Sequence, residues 1–154
     1  MSTPRHPSKP GESAQPRQAP SVPRAVLGWG VAFGVVTAAA PLVFWWMPAG
    51  LVHGMGLVLI AAVYVGFAVA DGRRHVLVVE SLVAAAFVFL AAVATTGSAW
   101  LLVAGFLGHG VKDLWQHRTG FVHGTRWWPP FCVIVDWVAG LLLAVLLMVG
   151  VPTR

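Results

Sequence analysis

After its first two dozen residues, the 154-residue chain reads as long apolar blocks broken by short clusters of glycine, proline or charge. A helix crossing a bilayer needs about 20 mainly apolar residues. Five blocks of that size can be drawn, at about 25–47, 49–70, 76–95, 99–117 and 130–151. Pro48, Gly72, Gly97 and the Pro129-Pro130 pair fall at the breaks, where a missing donor or a permissive backbone does no harm. The breaks are short enough to demand antiparallel neighbours, and only the last, about 118–128, is longer. The pattern predicts an all-α, polytopic membrane bundle of about five transmembrane helices.

Residues 1–24 differ in kind. They hold six of the eleven prolines, with serine and glutamine and almost nothing apolar. Such a segment cannot bury enough surface to offset the entropy of ordering it, so a disordered, basic, cytoplasmic tail is expected. Its dispersed basic residues serve either as a topology signal or as weak attraction for anionic lipid. Ala38 and Ala40 imitate a signal-peptidase motif, but Pro41 follows directly, so block one is read as an uncleaved helix.

Composition supports the membrane reading. Hydrophobic residues make up 58% and charged residues 10% of the chain, against about 25% charged in soluble domains, and mean hydropathy is +0.79. The net charge of +5 raises the question of nucleic acid, which the placement of the charges answers. Arg5, Lys9, Arg17 and Arg24 precede the first block, Arg73 and Arg74 separate the second and third, and Lys112, Arg118 and Arg126 flank the last connection. The other two connections carry no charge. Lys and Arg collect on cytoplasmic loops because they resist translocation. The expectation is therefore a bacterial inner-membrane protein with its amino terminus in the cytoplasm, its carboxyl terminus outside, the lipid bilayer as its partner, and no nucleic acid. Tryptophans agree: Trp45, Trp46 and Trp100 mark the outer boundary and Trp29, Trp115, Trp127 and Trp128 the inner one.

Glycines at Gly30/Gly34 and Gly50/Gly54 have the spacing that lets helices approach closely, a packing signal that also suits a homo-oligomer or a membrane partner. The single cysteine, Cys132, excludes an internal disulfide.

One stretch breaks the apolar run. In GHGVKDLWQH, His109, Asp113 and His117 fall within roughly 80° of one another at about 100° per helical residue, and Gln116 joins them. An ionisable group inside a membrane costs about 2.5–3.5 kcal/mol and is retained only with partners. At about 1.5 Å of rise per residue, Glu80 of the third block and Asp136 of the fifth lie at the depth of Asp113. Two imidazole nitrogens with hard carboxylate oxygens suit a divalent Zn, Fe or Mn ion. His109 and His117 are about 12 Å apart along the axis, however, so one ion takes both only if the helix bends at Gly108 or Gly110 or the site is dinuclear. The metal ligands expected are His109, Asp113, His117 and Asp136, with Glu80 and Asp113 as catalytic acid–base groups. Lys112 is expected either to snorkel to the surface or to neutralise the acids. His53 and His75 read as interfacial. His123, in the longer loop, reads either as part of a lid or as part of a tryptophan-anchored connection.

The segment from Gly105 to Gly140 resembles a group of small bacterial multi-pass membrane proteins whose pattern runs His, Asp, His-Arg, Trp-x-Pro-Phe-Cys, Asp. Here the matching positions are His109, Asp113, His117, Arg118, Trp128, Pro130, Phe131, Cys132 and Asp136. The resemblance implies that these residues act as one unit and implies no activity.

Phosphate-loop, H-E-x-x-H, G-x-S-x-G and paired C-x-x-C signatures are all missing from the sequence. Three classes stay open at this stage. One is a metal-dependent or acid–base enzyme acting on a lipid-soluble substrate. The second is a proton-coupled or metal carrier, and the third a non-catalytic scaffold in which the polar groups lock helix packing.

Overall fold

The computed structural model describes residues 23–151. The expected tail, apart from Pro23 and Arg24, lies outside those residues, as does Arg154. Five α-helices and no strands make up the described chain: α1 (Arg24–Val43), α2 (Ala49–Asp71), α3 (Arg74–Thr96), α4 (Trp100–Thr119) and α5 (Trp128–Met148). α1, α2, α3 and α5 are long and apolar enough to cross a membrane. Their outward faces carry large apolar side chains with no protein against them, such as Leu42 at 81% exposure and Phe89 at 72%. Surface of that kind belongs in lipid, not in water. α4 differs in composition: it is apolar through Leu107 and strongly polar beyond it, and it buries that polar side among its neighbours.

The helices are not arranged in simple sequential pairs. α5 sits between α1 and α4, α2 pairs with α3, and α4 closes the bundle by touching α2, α3 and α5. The α1–α5 contact rests on Gly30 and Gly34. A Cβ on Gly34 would lie 2.6 Å from Val138 Cβ and 2.9 Å from the Val135 carbonyl, so nothing larger than hydrogen fits without moving α1. The second expected pair behaves differently, since a Cβ on Gly54 would meet Ala91 at an ordinary 3.7 Å. Leu57, Leu102, Phe106 and Leu143, all at 0% exposure, form the apolar heart of one half of the bundle. Tyr64, Ala68, Val76 and Val122 fill the other half.

Loop contacts fix which ends lie together. Arg73 donates from Nη2 to the Phe121 carbonyl at 2.6 Å, and the His123 amide donates to Asp71 at 2.7 Å. The α2–α3 turn is thereby tied to the α4–α5 loop, and Pro23 shares a cavity wall with that loop. Arg24, Arg73, Arg74, Arg118 and Arg126 consequently gather at one end of the molecule, called here the charged end.

Two boundaries depart from the sequence pattern. α1 stops at Val43, short of residue 47, and the chain turns through Phe44, Trp45 and Trp46, whose rings stack edge to face. Pro129 and Pro130 lie inside the first turn of α5, not in the break before it. A proline there forfeits only an amide that has no helical acceptor.

Candidate metal centre

The centre is assembled by a close approach of α4 and α5. Gly110 makes this possible: a Cβ at that position would overlap the Trp137 indole and would stand 3.4 Å from Asp136 Cβ. With hydrogen there instead, Asp136 reaches across to α4. His109 Nδ1 lies 2.8 Å from Asp136 Oδ2 and 3.4 Å from Asp113 Oδ2, and all three side chains are fully buried. The i, i+4 spacing of His109 and Asp113 puts them on one face of α4, one turn apart. One ligating atom from each of the three lies within 4.8 Å of the others.

Aromatic rings enclose the imidazole. Phe87 of α3 meets it edge to face at 4.9 Å between centroids, and Tyr64 of α2 lies at 5.9 Å. Within this apolar box the polar atoms are under-satisfied. His109 Nε2 and Asp136 Oδ1 have no hydrogen-bond partner. The Asp113 carboxylate has the 3.4 Å contact with His109 and the Tyr64 hydroxyl nearby, but no hydrogen bond of good geometry. Buried polar groups are normally paired, so unpaired ones concentrated in one spot call for an explanation.

A second polar set lies one helical turn toward the charged end. Lys112 Nζ pairs with Glu80 Oε2 at 2.7 Å and stands 3.1 Å from the Tyr64 ring centroid, a cation–π contact. Gln116 donates from Nε2 to Glu80 Oε1 and accepts from the Val122 amide at 3.2 Å. Glu80, Asp113 and Asp136 are each at most 1% exposed. Three buried carboxyl groups therefore stand beside one imidazole and one ammonium group. Ionised groups buried there are costly unless a cation or protons offset them.

The structure thus brings together three of the four expected ligands, His109, Asp113 and Asp136. His117 is not among them. It is exposed, two turns along α4 from His109, and borders a cavity at the charged end. α4 is unbroken from Trp100 to Thr119, and His117 stays outside the group that His109 forms with Asp113 and Asp136. Glu80 lies at the expected depth but faces Lys112 and Gln116, outside the three-residue group. Lys112 neutralises an acid and does not snorkel outward. His53, in the second turn of α2, is buried at 3% exposure, with Nε2 3.2 Å from the Ala38 carbonyl of α1, a contact the interfacial reading did not include. A helix apolar on every side, as α2 is, gives no hint of which side is covered. His75 is exposed as expected. Cys132, also buried, precedes Asp136 by one turn.

Tyr64 escaped sequence reading. It is the chain's only tyrosine, sits within an otherwise apolar block, and is completely buried. A lone phenol in such a block is itself the signal, because its hydroxyl needs a polar neighbour. Asp71 carries no such sequence signal, although it anchors Arg73 and the His123 amide. No family model matches the chain, and no curated protein or solved structure is significantly similar to it.

Proposed function

We propose that the protein holds a divalent transition metal, of the Zn, Fe or Mn class, between His109, Asp113 and Asp136, and uses it for metal-assisted or acid–base chemistry on a lipid-soluble substrate. The observation that carries this reading is the convergence of one ligand-type atom from each of His109, Asp113 and Asp136 within 4.8 Å, all three side chains buried. Metal ligands bind deprotonated, and in that state a divalent ion together with Lys112 offsets the three carboxylates. One nitrogen and two oxygen ligands suit these metals, and the fourth position stays available to water or substrate. Glu80, held by Lys112 and Gln116, serves as the auxiliary acid–base group.

In this reading α4 crosses the membrane with the other four helices and the charged end faces the cytoplasm, in keeping with the arginines collected there. The protein then belongs in a bacterial plasma membrane with its amino terminus inside. The carrier reading has less support, because the fully buried Leu57, Leu102, Phe106 and Leu143 fill the half of the bundle away from the charged end. A carrier needs polar groups continuing through that half.

The test is metal analysis of purified protein beside His109→Ala and Asp113→Ala, with melting and size-exclusion profiles to certify folding. Near-stoichiometric metal in the parent, lost in folded variants, is the expected result. A folded parent that takes up no Zn, Fe or Mn on reconstitution overturns the proposal and leaves the polar groups as packing devices.

A further inference from the structure

A cavity of about 590 Å³ opens at the charged end, between the last turn of α4, the loop after it and the first turn of α5. We propose that this cavity binds a phosphate group, such as that of an anionic phospholipid, with Arg126 and His117 as its principal ligands. The inference goes beyond the metal centre and does not depend on it, since neither side chain belongs to the buried group.

The lining carries the argument. Arg126, His117 and His123 border the cavity, and among the described residues that line it none is acidic. Arg126 and His117 are exposed and have no ion-pair partner among the described residues. His123 is partly occupied, with Nδ1 3.6 Å from Asp71 Oδ2, so it ranks behind the other two. Trp127 and Val122 supply apolar wall. Gln116 belongs to the lining as well, yet is only 1% exposed because both ends of its carboxamide are engaged below, by Glu80 and the Val122 amide.

A mouth carrying a guanidinium and imidazole donors beside an apolar wall is the chemistry that takes an amphiphile's anionic head. Arginine supplies planar, paired donors for phosphate oxygens. The position agrees, because this end carries Trp29, Trp115, Trp127 and Trp128, the residue type that settles at headgroup depth. Two turns give the loop its shape: Gly120 at φ 59° ends α4, and Gly124 at φ 79° reverses the chain before Arg126. Both are backbone conformations that residues with a Cβ seldom adopt.

The experiment is calorimetric titration of the full-length protein in a neutral detergent with dihexanoyl phosphatidic acid, dihexanoyl phosphatidylcholine and inorganic phosphate. The expected result is saturable binding of the phosphatidic acid, weakened about tenfold or more in the double variant Arg126→Gln/His117→Gln. Both residues are exposed, so the double variant should melt as the parent does, and that melting curve is recorded alongside. If inorganic phosphate also binds saturably and loses affinity in the double variant, the ligand is the phosphate ion itself. If only the lipid does so, headgroup and chain are read together. Binding unchanged in the double variant, or no saturable binding by either phosphate source, would each overturn the proposal.

Discussion

Lys112 holds Glu80 inside the bundle, ammonium to carboxylate at 2.7 Å, and thereby joins α4 to α3. Glu80 is 1% exposed, so the pair is strongly desolvated and its two members are unequal when tested alone. Lys112→Met strands a buried carboxylate and should cost about 3–5 kcal/mol. Adding Glu80→Gln removes that charge while a carboxamide oxygen still accepts from Gln116, so the double variant should regain most of the loss. Chemical unfolding of the four proteins in detergent gives the coupling. A Lys112→Met variant as stable as the parent would mean that Glu80 is neutral without its partner.

The sequence pattern located depth well and azimuth poorly. Glu80, Asp113 and Asp136 were placed in one layer by counting residues from the charged end, because helical rise is uniform and the span boundaries are set by charge and tryptophan. Which of them touch could not be counted. That depends on the α4–α5 approach permitted by Gly110 and on the insertion of α5 between α1 and α4, and neither has a local signature. His117 shares a stripe with His109 on a helical projection, yet a projection hides the axial distance that keeps it out of the cluster. Tyr64 and His53 were hard to place for a related reason. On helices apolar all round, the pattern does not say which side faces protein.

Removing the ion gives a sign that separates a metal site from a structural lock. If Asp113 and Asp136 exist to hold a cation, they repel each other when it is stripped. Asp113→Asn should then raise the melting temperature in chelator, by the equivalent of about 1–3 kcal/mol at the effective dielectric of protein interiors, while abolishing metal uptake. If the carboxylates only lock packing, the same variant melts lower. For the parent, metal should also be released as pH falls, since its ligands bind the ion only when deprotonated.

Gly34 and Gly28 lie on one helix and predict opposite outcomes. Gly34→Ala drives a methyl into Val138 and the Val135 carbonyl, where backbone cannot yield cheaply, and should cost about 1–3 kcal/mol. Gly28 has nothing within 4 Å of its would-be Cβ. Gly28→Ala should be neutral or slightly stabilising through helix propensity. Melting curves of the two variants decide the matter, and equal effects would mean that α1 does not pack on α5 through Gly34.

Arg73 is expected to govern the loop that walls the charged-end cavity. It grips Asp71 through Nε at 2.5 Å and Nη2 at 2.8 Å, and the same Nη2 reaches the Phe121 carbonyl. Asp71 in turn accepts from the His123 amide. Arg73→Gln cannot span these partners, so the loop loses its tie at the Phe121 carbonyl, and the Asp71 carboxylate that accepts from the His123 amide loses its clamp. Loss of these charge-assisted contacts should make local opening of the loop more frequent. Hydrogen exchange read by mass spectrometry should therefore quicken at Val122 and His123 while amides in the middle of α3 and α5 exchange as before. Asp71→Asn should reproduce the pattern from the other side of the pair, because it weakens the same charge-assisted contacts. Unchanged exchange in both variants would mean that Val122, fitted against Tyr64, Ala68 and Val76, holds the loop by packing alone.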